Sequence, residues 1–294
     1  MNRSWCALFP AILLAAAVLA AVAPVTAEER SFVDEVMEVS RVRQDIENMP
    51  RMFLAGLLMA QQQGQPIEGL GASELERVVF KGFERSGFLP LVRAELEGKL
   101  GAAKLERLRN WYQEPFPKRL IELEKELANP EDFDRLQAFA GELAAKPLAP
   151  SRVALLEKLD RTVGLTAQSL QTTSLIMATA FRVFDRLAPP ARQQGEAALK
   201  KMEEGALAQL TTNLPQQTLV QLAFLYRSLD DQELATFVAD QEQEFLREFH
   251  DAVKVGLDKG LAAFAAGMLA EADDLVKSRS AHPTEKAAPP TAGQ

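Results

Sequence analysis

The chain has 294 residues, with 41 acidic against 33 basic side chains and a formal net charge of −8 at pH 7. This balance gives no basic stripe of the kind that nucleic acid or anionic lipid needs, which argues against nucleic-acid binding. Strand signals are nearly absent, whereas apolar residues recur at helical spacing almost throughout the chain. The sequence therefore predicts an all-α fold of antiparallel helices.

The first 27 residues are typical of a cleavable secretory signal. Arg3 precedes an apolar run over about residues 7–22, and small residues stand just before Glu28. The run is short for a membrane span, so we expect cleavage after Ala27 rather than an anchor. The only cysteine, Cys6, leaves with this segment, so the mature chain has neither a disulfide nor a lipid anchor. The mature protein is expected to be periplasmic, in a Gram-negative bacterium, or secreted.

Helical patterns fill residues 28–145, the first predicted unit. Its first helix is expected to be broken or kinked at Pro50, because proline lacks the backbone N–H that a helix interior needs. Ser73 and Glu76 predict a capping box for the next helix, and Gly87 is expected to cap the end of that helix.

A corner between two helices is predicted at the segment "NWYQEPFP". Pro115 and Pro117 end one helix because neither can donate a backbone hydrogen bond, and Pro117 suits the first turn of the next helix. Trp111, Tyr112 and Phe116 supply the large apolar area with which two antiparallel helices would pack there. The segment therefore indicates architecture rather than chemistry.

A second unit is predicted over residues 151–278, after a boundary at 146–150. Its helices are expected over 151–187, 191–211, 215–227, 229–256 and 258–276. The remaining residues, 279–294, are rich in proline, alanine and threonine and lack apolar periodicity, so we expect a disordered tail.

An echo at an offset of 114 residues relates the two units. In the second unit, Tyr226 stands where the first unit has Tyr112, and residues 228–231 are expected to start a helix where the first unit uses prolines. Five leucine or tryptophan positions match leucines in the same way: Leu100, Leu105, Leu108, Trp111 and Leu120 match Leu214, Leu219, Leu222, Leu225 and Leu234. Chance similarity of two leucine-rich stretches is the alternative, but the pattern favours internal duplication, with 28–145 and 151–278 superposing.

The corner also resembles a family of secreted, all-helical bacterial domains of unknown function. These domains carry an aromatic-Tyr-x-x-Pro segment followed by a helix rich in lysine and leucine. The segment from Trp111 to Pro115, continuing through Lys118, is similar to this pattern, and Phe224 to Leu229 is a weaker match with leucine in place of the proline. The resemblance implies a secreted helical domain and no particular activity.

Motifs for catalysis, metals and cofactors are missing from the sequence. His282 falls in the predicted tail, and His250 lacks the Glu-x-x-His spacing because Arg247 stands three residues before it. No serine-nucleophile motif and no glycine-rich phosphate loop occurs. We therefore expect no cofactor and no metal, and a structural His250. Three closely spaced carboxylates are interpreted as a solvated helix face: Glu122, Glu124 and Glu126.

Methionine and phenylalanine side chains offer one further candidate site. They could line an adaptable groove for apolar peptides or acyl chains, although core packing is the favoured interpretation. The residues concerned are Met52, Phe53, Met59, Met177, Phe181 and Phe184.

Three classes of function stay open on the sequence alone. A non-enzymatic interaction protein or chaperone-like scaffold is favoured, because no catalytic motif is found and helical hairpins present grooves to partners. A carrier of an apolar ligand would need an apolar cavity, and a hydrolase with an unrecognised carboxylate site would need two acids converging in a cleft. The acidic surface favours basic or neutral partners in each case.

Overall fold

The computed structural model describes residues 32–62, 71–125 and 130–281, and the regular secondary structure in these ranges is entirely helical. The all-α prediction is confirmed. The predicted signal, Glu126 and His282 lie outside the described residues, as does the side chain of Met59. Within these ranges, no helix combines the length and apolar character needed to cross a membrane.

The helices are numbered in chain order and joined by short connections. A single 3₁₀ turn, Pro190–Arg192, separates the eighth helix from the ninth. Their bounds are α1 (Phe32–Val39), α2 (Val42–Gln62), α3 (Ala72–Ser86), α4 (Phe88–Gln113), α5 (Pro115–Glu124), α6 (Pro130–Ala145), α7 (Pro150–Val163), α8 (Leu165–Leu187), α9 (Glu196–Leu225), α10 (Asp231–Gln241) and α11 (Glu244–Ala281).

Left-handed residues, rather than prolines, separate α1 from α2 and α7 from α8. The chain turns between α1 and α2 at Arg41, with φ of 65°, and between α7 and α8 at Gly164, with φ of 77°. Pro50 lies inside α2 and Pro215 inside α9, so neither ends a helix. The continuous helix expected over 151–187 is therefore wrong, as is the separation of 191–211 from 215–227. A proline removes one backbone donor, and tertiary packing can hold the helix together around that loss.

The start of α3 also differs from the sequence prediction. Gly71 precedes the helix, and its N–H donates to Glu74 Oε2 at 2.9 Å. The capping box predicted at Ser73 and Glu76 is wrong, because the helix begins at Ala72 and the N–H of the preceding Gly71 donates to the Glu74 carboxylate. The end of α3 is confirmed, since Gly87 takes the left-handed conformation with φ of 58°.

A close crossing of α11 over α3 and α4 forms the centre of the larger core. A Cβ added to Gly260 would lie 2.0 Å from a ring carbon of Phe88, and one added to Gly267 would lie 2.3 Å from the carbonyl oxygen of Gly82. Only glycine permits backbones to approach this closely. We call this contact the glycine seam. It explains why α11 runs unbroken through Gly260, where the sequence predicted a break near residue 257.

Two hydrophobic cores organise the molecule. The larger core is built by α1 to α4, α8, α11 and the first part of α9. The smaller core is built by α5, α7, α10 and the last part of α9, with α6 packed against it. Each core takes residues from both sides of the non-helical segment 146–149. The division into units 28–145 and 151–278, and their duplication, stay predictions.

One contact joins equivalent positions of the 114-residue echo. Arg119 Nη1 donates to Glu233 Oε1 at 2.6 Å, and these residues are 114 positions apart. Direct contact between equivalent residues is expected where two related segments pack about a local two-fold axis. Superposition of residues 28–145 on residues 151–278 would test the predicted duplication.

Candidate functional site

A group of polar side chains lies where the two cores meet. Tyr112 packs against the larger core, whereas Tyr226 belongs to the smaller one, and the charge of Glu124 acts on both. Arg41 and Asp45, from the α1–α2 junction and the start of α2, act on Glu124 in turn. We call these five residues the inter-core cluster.

Glu124 stands at the centre of this cluster, at the end of α5. Its Oε1 accepts a hydrogen bond of 2.9 Å from the Tyr226 hydroxyl. Burial raises the pKa of Glu124 to about 7; the Tyr226 hydrogen bond opposes this shift, the Asp45 charge adds to it and the Arg41 charge reduces it. Protonated and ionised forms are therefore both populated near neutral pH.

The interpretation of Glu124 as part of a solvated helix face is wrong. Glu122 does lie on the exposed face of α5, where it pairs with Lys125. Glu124 is half-buried. Residues two positions apart lie on different sides of a helix, and Glu124 follows the buried Leu120 by four positions. It therefore lies on the apolar side of α5.

The two tyrosines approach Glu124 from opposite cores. Tyr112 is half-buried and packs edge-to-face on Trp111, with ring centroids 4.9 Å apart. Tyr226 is only 4% exposed and packs on Phe237 at 5.3 Å. Burial, together with the Glu124 charge, raises the pKa of both phenols. Both therefore stay neutral at physiological pH and can donate hydrogen bonds.

Arg41 holds an unusual backbone conformation in this cluster. It is 7% exposed, and its left-handed φ costs a residue with a Cβ roughly 1 kcal/mol. The turn between α7 and α8 uses Gly164, which avoids that cost. The Arg41 side chain adds a positive charge, which glycine lacks. Its Nη2 lies 4.0 Å from Asp45 Oδ1, and its charge favours ionisation of Glu124.

Asp45 gives the cluster its contact with solvent. Its side chain is 59% exposed, yet the protein around it raises its pKa to about 6 against the opposing charge of Arg41. The side chain itself is mostly exposed, and the protein packed around the start of α2 supplies the burial that raises its pKa. Water in contact with the carboxylate lessens the penalty for ionising it, so Asp45 is the more readily charged of the two acids. We call the partly exposed surface around Asp45 and Glu124 the inter-core cleft.

Tyr226 is held in place by an arginine from α7. Arg152 Nη2 donates to the Tyr226 carbonyl oxygen at 2.7 Å, and Nη1 donates to Asp231 Oδ1 at 2.8 Å. This brace fixes the end of α9 against the start of α10, and thereby fixes the hydroxyl that contacts Glu124.

No family model, no curated protein and no solved structure matches this chain. The resemblance of the corner to secreted helical domains therefore stays a prediction.

His250 is a satisfied structural histidine. Its Nε2 lies 2.6 Å from Gln241 Oε1, which fits a ring N–H donating to the amide oxygen. Burial lowers the pKa of His250 to about 4, so the ring is neutral under physiological conditions. In the part of the chain that the structure describes, no three His, Cys, Asp or Glu side chains are grouped so as to hold a metal ion.

The residues of the corner predicted from the sequence are close along the chain but pack in different cores. Trp111 is buried in the larger core, and Phe116 packs against the smaller one. Pro115 is exposed at the first position of α5. Only Tyr112 and Tyr226 of the predicted set reach the inter-core cluster.

The residues of the predicted apolar groove pack mainly in the larger core. Phe53, Met177 and Phe181 are buried there, and Phe53 meets Phe264 edge-to-face at 5.7 Å. Met52 and Phe184 are half-buried. Core packing accounts for the buried members of this set.

Sequence reasoning missed Arg41 and Asp45 and misjudged Glu124. For Glu124 a signal was present, because it follows Leu120 by four positions and Leu120 lies on the apolar face of its helix. For Arg41 and Asp45 there was none, since an arginine and an aspartate in a charged helical stretch are typical of a solvated surface.

Proposed function

We propose that the protein acts outside the cytoplasm as a non-enzymatic binding protein or scaffold, and that the inter-core cleft receives a cationic group of its partner. The main support for this proposal is the position of Glu124, which lies between tyrosines of the two cores and close to a second, solvent-accessible acid, Asp45. The signal-like first 27 residues support the extracytoplasmic location.

Charge balance supports a cationic ligand group. The cluster contains two carboxylates, Asp45 and Glu124, and one guanidinium, Arg41. With both acids ionised, these three side chains sum to a charge of −1, which favours a cationic group in the ligand. The whole chain is acidic as well, so it attracts basic partners over longer distances.

The position of the aromatic residues supports the same ligand class. Tyr112 keeps part of its surface exposed and lies close enough to Glu124 to feel its charge. An ammonium group paired with a carboxylate gains further stabilisation from a neighbouring aromatic ring. The phenol of Tyr226 is held neutral and orients Glu124 from the other side.

Binding of a defined peptide tests this proposal. The probe is a blocked peptide of alternating alanine and lysine, titrated into the purified protein at pH 8 and low salt; its matched control has norleucine for lysine. We expect saturable binding of the lysine peptide only. Asp45→Asn and Glu124→Gln should each weaken it at least tenfold, and added salt should weaken it too.

Glu122→Gln is the matched protein variant. It removes one charge from the same helix, but at the exposed face away from the cleft. We expect unchanged binding within a factor of two. Equal losses in all three variants, or equal binding of the norleucine peptide, would show that general surface charge or apolar contact causes the binding and would contradict the cleft.

A hydrolase with a carboxylate site is the second candidate. The observation favouring it is that Glu124 and Asp45 have raised pKa values and interact, as an acid and base in a catalytic pair do. Turnover of peptidoglycan, a peptide or an ester by the purified protein, abolished by Glu124→Gln, would establish this candidate. Binding of the lysine peptide without turnover of these substrates would favour the scaffold.

A further inference from the structure

We infer that the two cores move relative to each other about a hinge in the middle of α9, at Pro215. The inference does not depend on the proposed ligand, because it follows from where the chain passes from one core to the other. We call α1 to α4, α8, α11 and the first part of α9 the larger body, and α5, α6, α7, α10 and the last part of α9 the smaller body.

Among the described residues, the chain passes between the two bodies at four places, and three of these are breaks between helices. Glu114, with an extended backbone, separates α4 from α5, and Gly164, with φ of 77°, separates α7 from α8. A turn at 242–243 separates α10 from α11. Residues at the ends of helices can absorb a change of direction, as hinge residues do. The fourth passage runs through the interior of α9, so this helix must bend if the bodies move.

The middle of α9 lies outside both cores. Leu210 packs in the larger core and Leu222 in the smaller one. The buried residues between them, Leu214 and Thr218, belong to neither core. A bend in this stretch therefore leaves the packing within each core intact.

Pro215 weakens α9 at this point. Proline has no N–H for the carbonyl oxygen of Thr211, four residues earlier, and its ring crowds that carbonyl, so helices kink at such a residue. The Thr211 hydroxyl donates to the carbonyl oxygen of Leu207 at 2.8 Å. The Thr212 hydroxyl donates in the same way to Ala208 at 3.0 Å, and hydrogen bonds of this kind often bend helices. The weakest point of α9 therefore coincides with its passage between the bodies.

Pro50, the proline inside α2, lies in a different setting. It is buried, and α2 packs in the larger core on both sides of it, through Ile46 and Phe53. Pro215 is exposed, as are residues 211–213 before it. Of these two prolines, Pro215 is the one at which a bend moves one core relative to the other.

Bending at Pro215 changes the spacing within the inter-core cluster. Arg41, Asp45 and Tyr112 belong to the larger body, whereas Glu124 and Tyr226 belong to the smaller one. The hydrogen bond from Tyr226 to Glu124 lies within the smaller body, so the motion preserves it. The hinge therefore controls how closely the Glu124 carboxylate approaches the groups of the larger body.

Double electron–electron resonance between nitroxide labels on the mature chain tests the inference. Cysteines for labelling replace exposed alanines, and the only native cysteine, Cys6, lies in the predicted signal. Ala94 on α4 and Ala235 on α10 form the pair between the bodies, whereas Ala55 on α2 and Ala94 form a reference pair within the larger body. We expect a broader distance distribution for the pair between the bodies than for the reference pair.

Two substitutions in α9 locate the hinge. Pro215→Ala restores the backbone donor and should narrow the distribution between the bodies to the width of the reference pair. Gly205→Ala is also exposed in α9 but lies within the larger body, so it should leave the distribution broad. Circular dichroism checks that both variants are folded.

Two kinds of result would contradict the hinge. In the unaltered protein, a distribution between the bodies as narrow as that of the reference pair would overturn the motion itself. An undiminished width in the Pro215→Ala variant, or equal narrowing by Gly205→Ala, would overturn the location at Pro215. Binding of the lysine peptide is a separate measurement, so loss of the hinge leaves the proposed function intact.

Discussion

The glycine seam and the inter-core cleft are contacts of opposite kinds. At the seam, α11 meets α3 and α4 so closely that a single Cβ does not fit at Gly260, and the contact has no room for any other group. At the cleft, two acids, two phenols and a guanidinium meet, one carboxylate has a raised pKa of about 7, and one arginine takes a left-handed φ. The first contact serves stability, whereas the second opposes it, as ligand sites commonly do. Substitutions in the two places should therefore have opposite effects.

Trp111→Ala should have the largest effect, because Trp111 is a large aromatic side chain buried in the larger core beside Tyr112. We expect a loss of roughly 3 kcal/mol or more in the free energy of unfolding. Urea denaturation followed by circular dichroism measures it. A midpoint equal to that of the unaltered protein would show that the indole is not part of the core.

Gly260→Ala should come next, with a loss of about 2–3 kcal/mol, since its Cβ would lie 2.0 Å from a buried Phe88 ring carbon. Gly205→Ala in α9 is the matched control, because nothing lies within 4 Å of the added Cβ. It should stabilise the protein by up to about 1 kcal/mol through helix propensity. Equal effects of the two substitutions in thermal melts would contradict the close packing of the seam.

Glu124→Gln should stabilise the protein at pH 8. A carboxyl whose pKa rises on folding binds its proton more tightly in the folded state, so stability falls as the pH rises from about 4.5 to about 7. Glutamine avoids this loss and can still accept the Tyr226 hydrogen bond. We expect a gain on the order of 1–2 kcal/mol at pH 8 and none at pH 4, from denaturation at both pH values. A variant that is less stable than the unaltered protein at pH 8 would contradict a cost of ionisation at this position.

Two substitutions at Arg41 should isolate the cost of its backbone conformation. Arg41→Gly and Arg41→Ala both remove the guanidinium, but only glycine adopts φ of 65° without strain. The glycine variant should be the more stable of the two by about 1 kcal/mol. Identical melting temperatures would mean that the turn relaxes when the side chain is shortened. Gly164→Ala, at the turn between α7 and α8, should cost a similar amount, because its φ of 77° is also left-handed.

The helical class and many helix ends could be predicted from sequence because they depend on local chemistry. Pro115 begins α5, and Gly87 ends α3, for reasons that involve neighbouring residues alone. The breaks between helices were harder to predict. Pro50 and Pro215 lie inside helices that tertiary packing supports. Arg41 separates α1 from α2 in a left-handed conformation that arginine disfavours. Tyr112 and Tyr226 were found through the echo, but their meeting at Glu124 depends on how the two cores pack, which no local pattern encodes.

The most direct test of this account is the titration of Glu124 itself. Carbon-detected NMR of side-chain carboxyls follows each glutamate between pH 4 and 9, and Glu124→Gln identifies the resonance. The account predicts a midpoint near 7 for Glu124 in the free protein, moving toward lower pH when the lysine peptide is added. A midpoint in the ordinary range of about 4–5 for every glutamate, unchanged by the peptide, would contradict both the cleft and its cationic ligand.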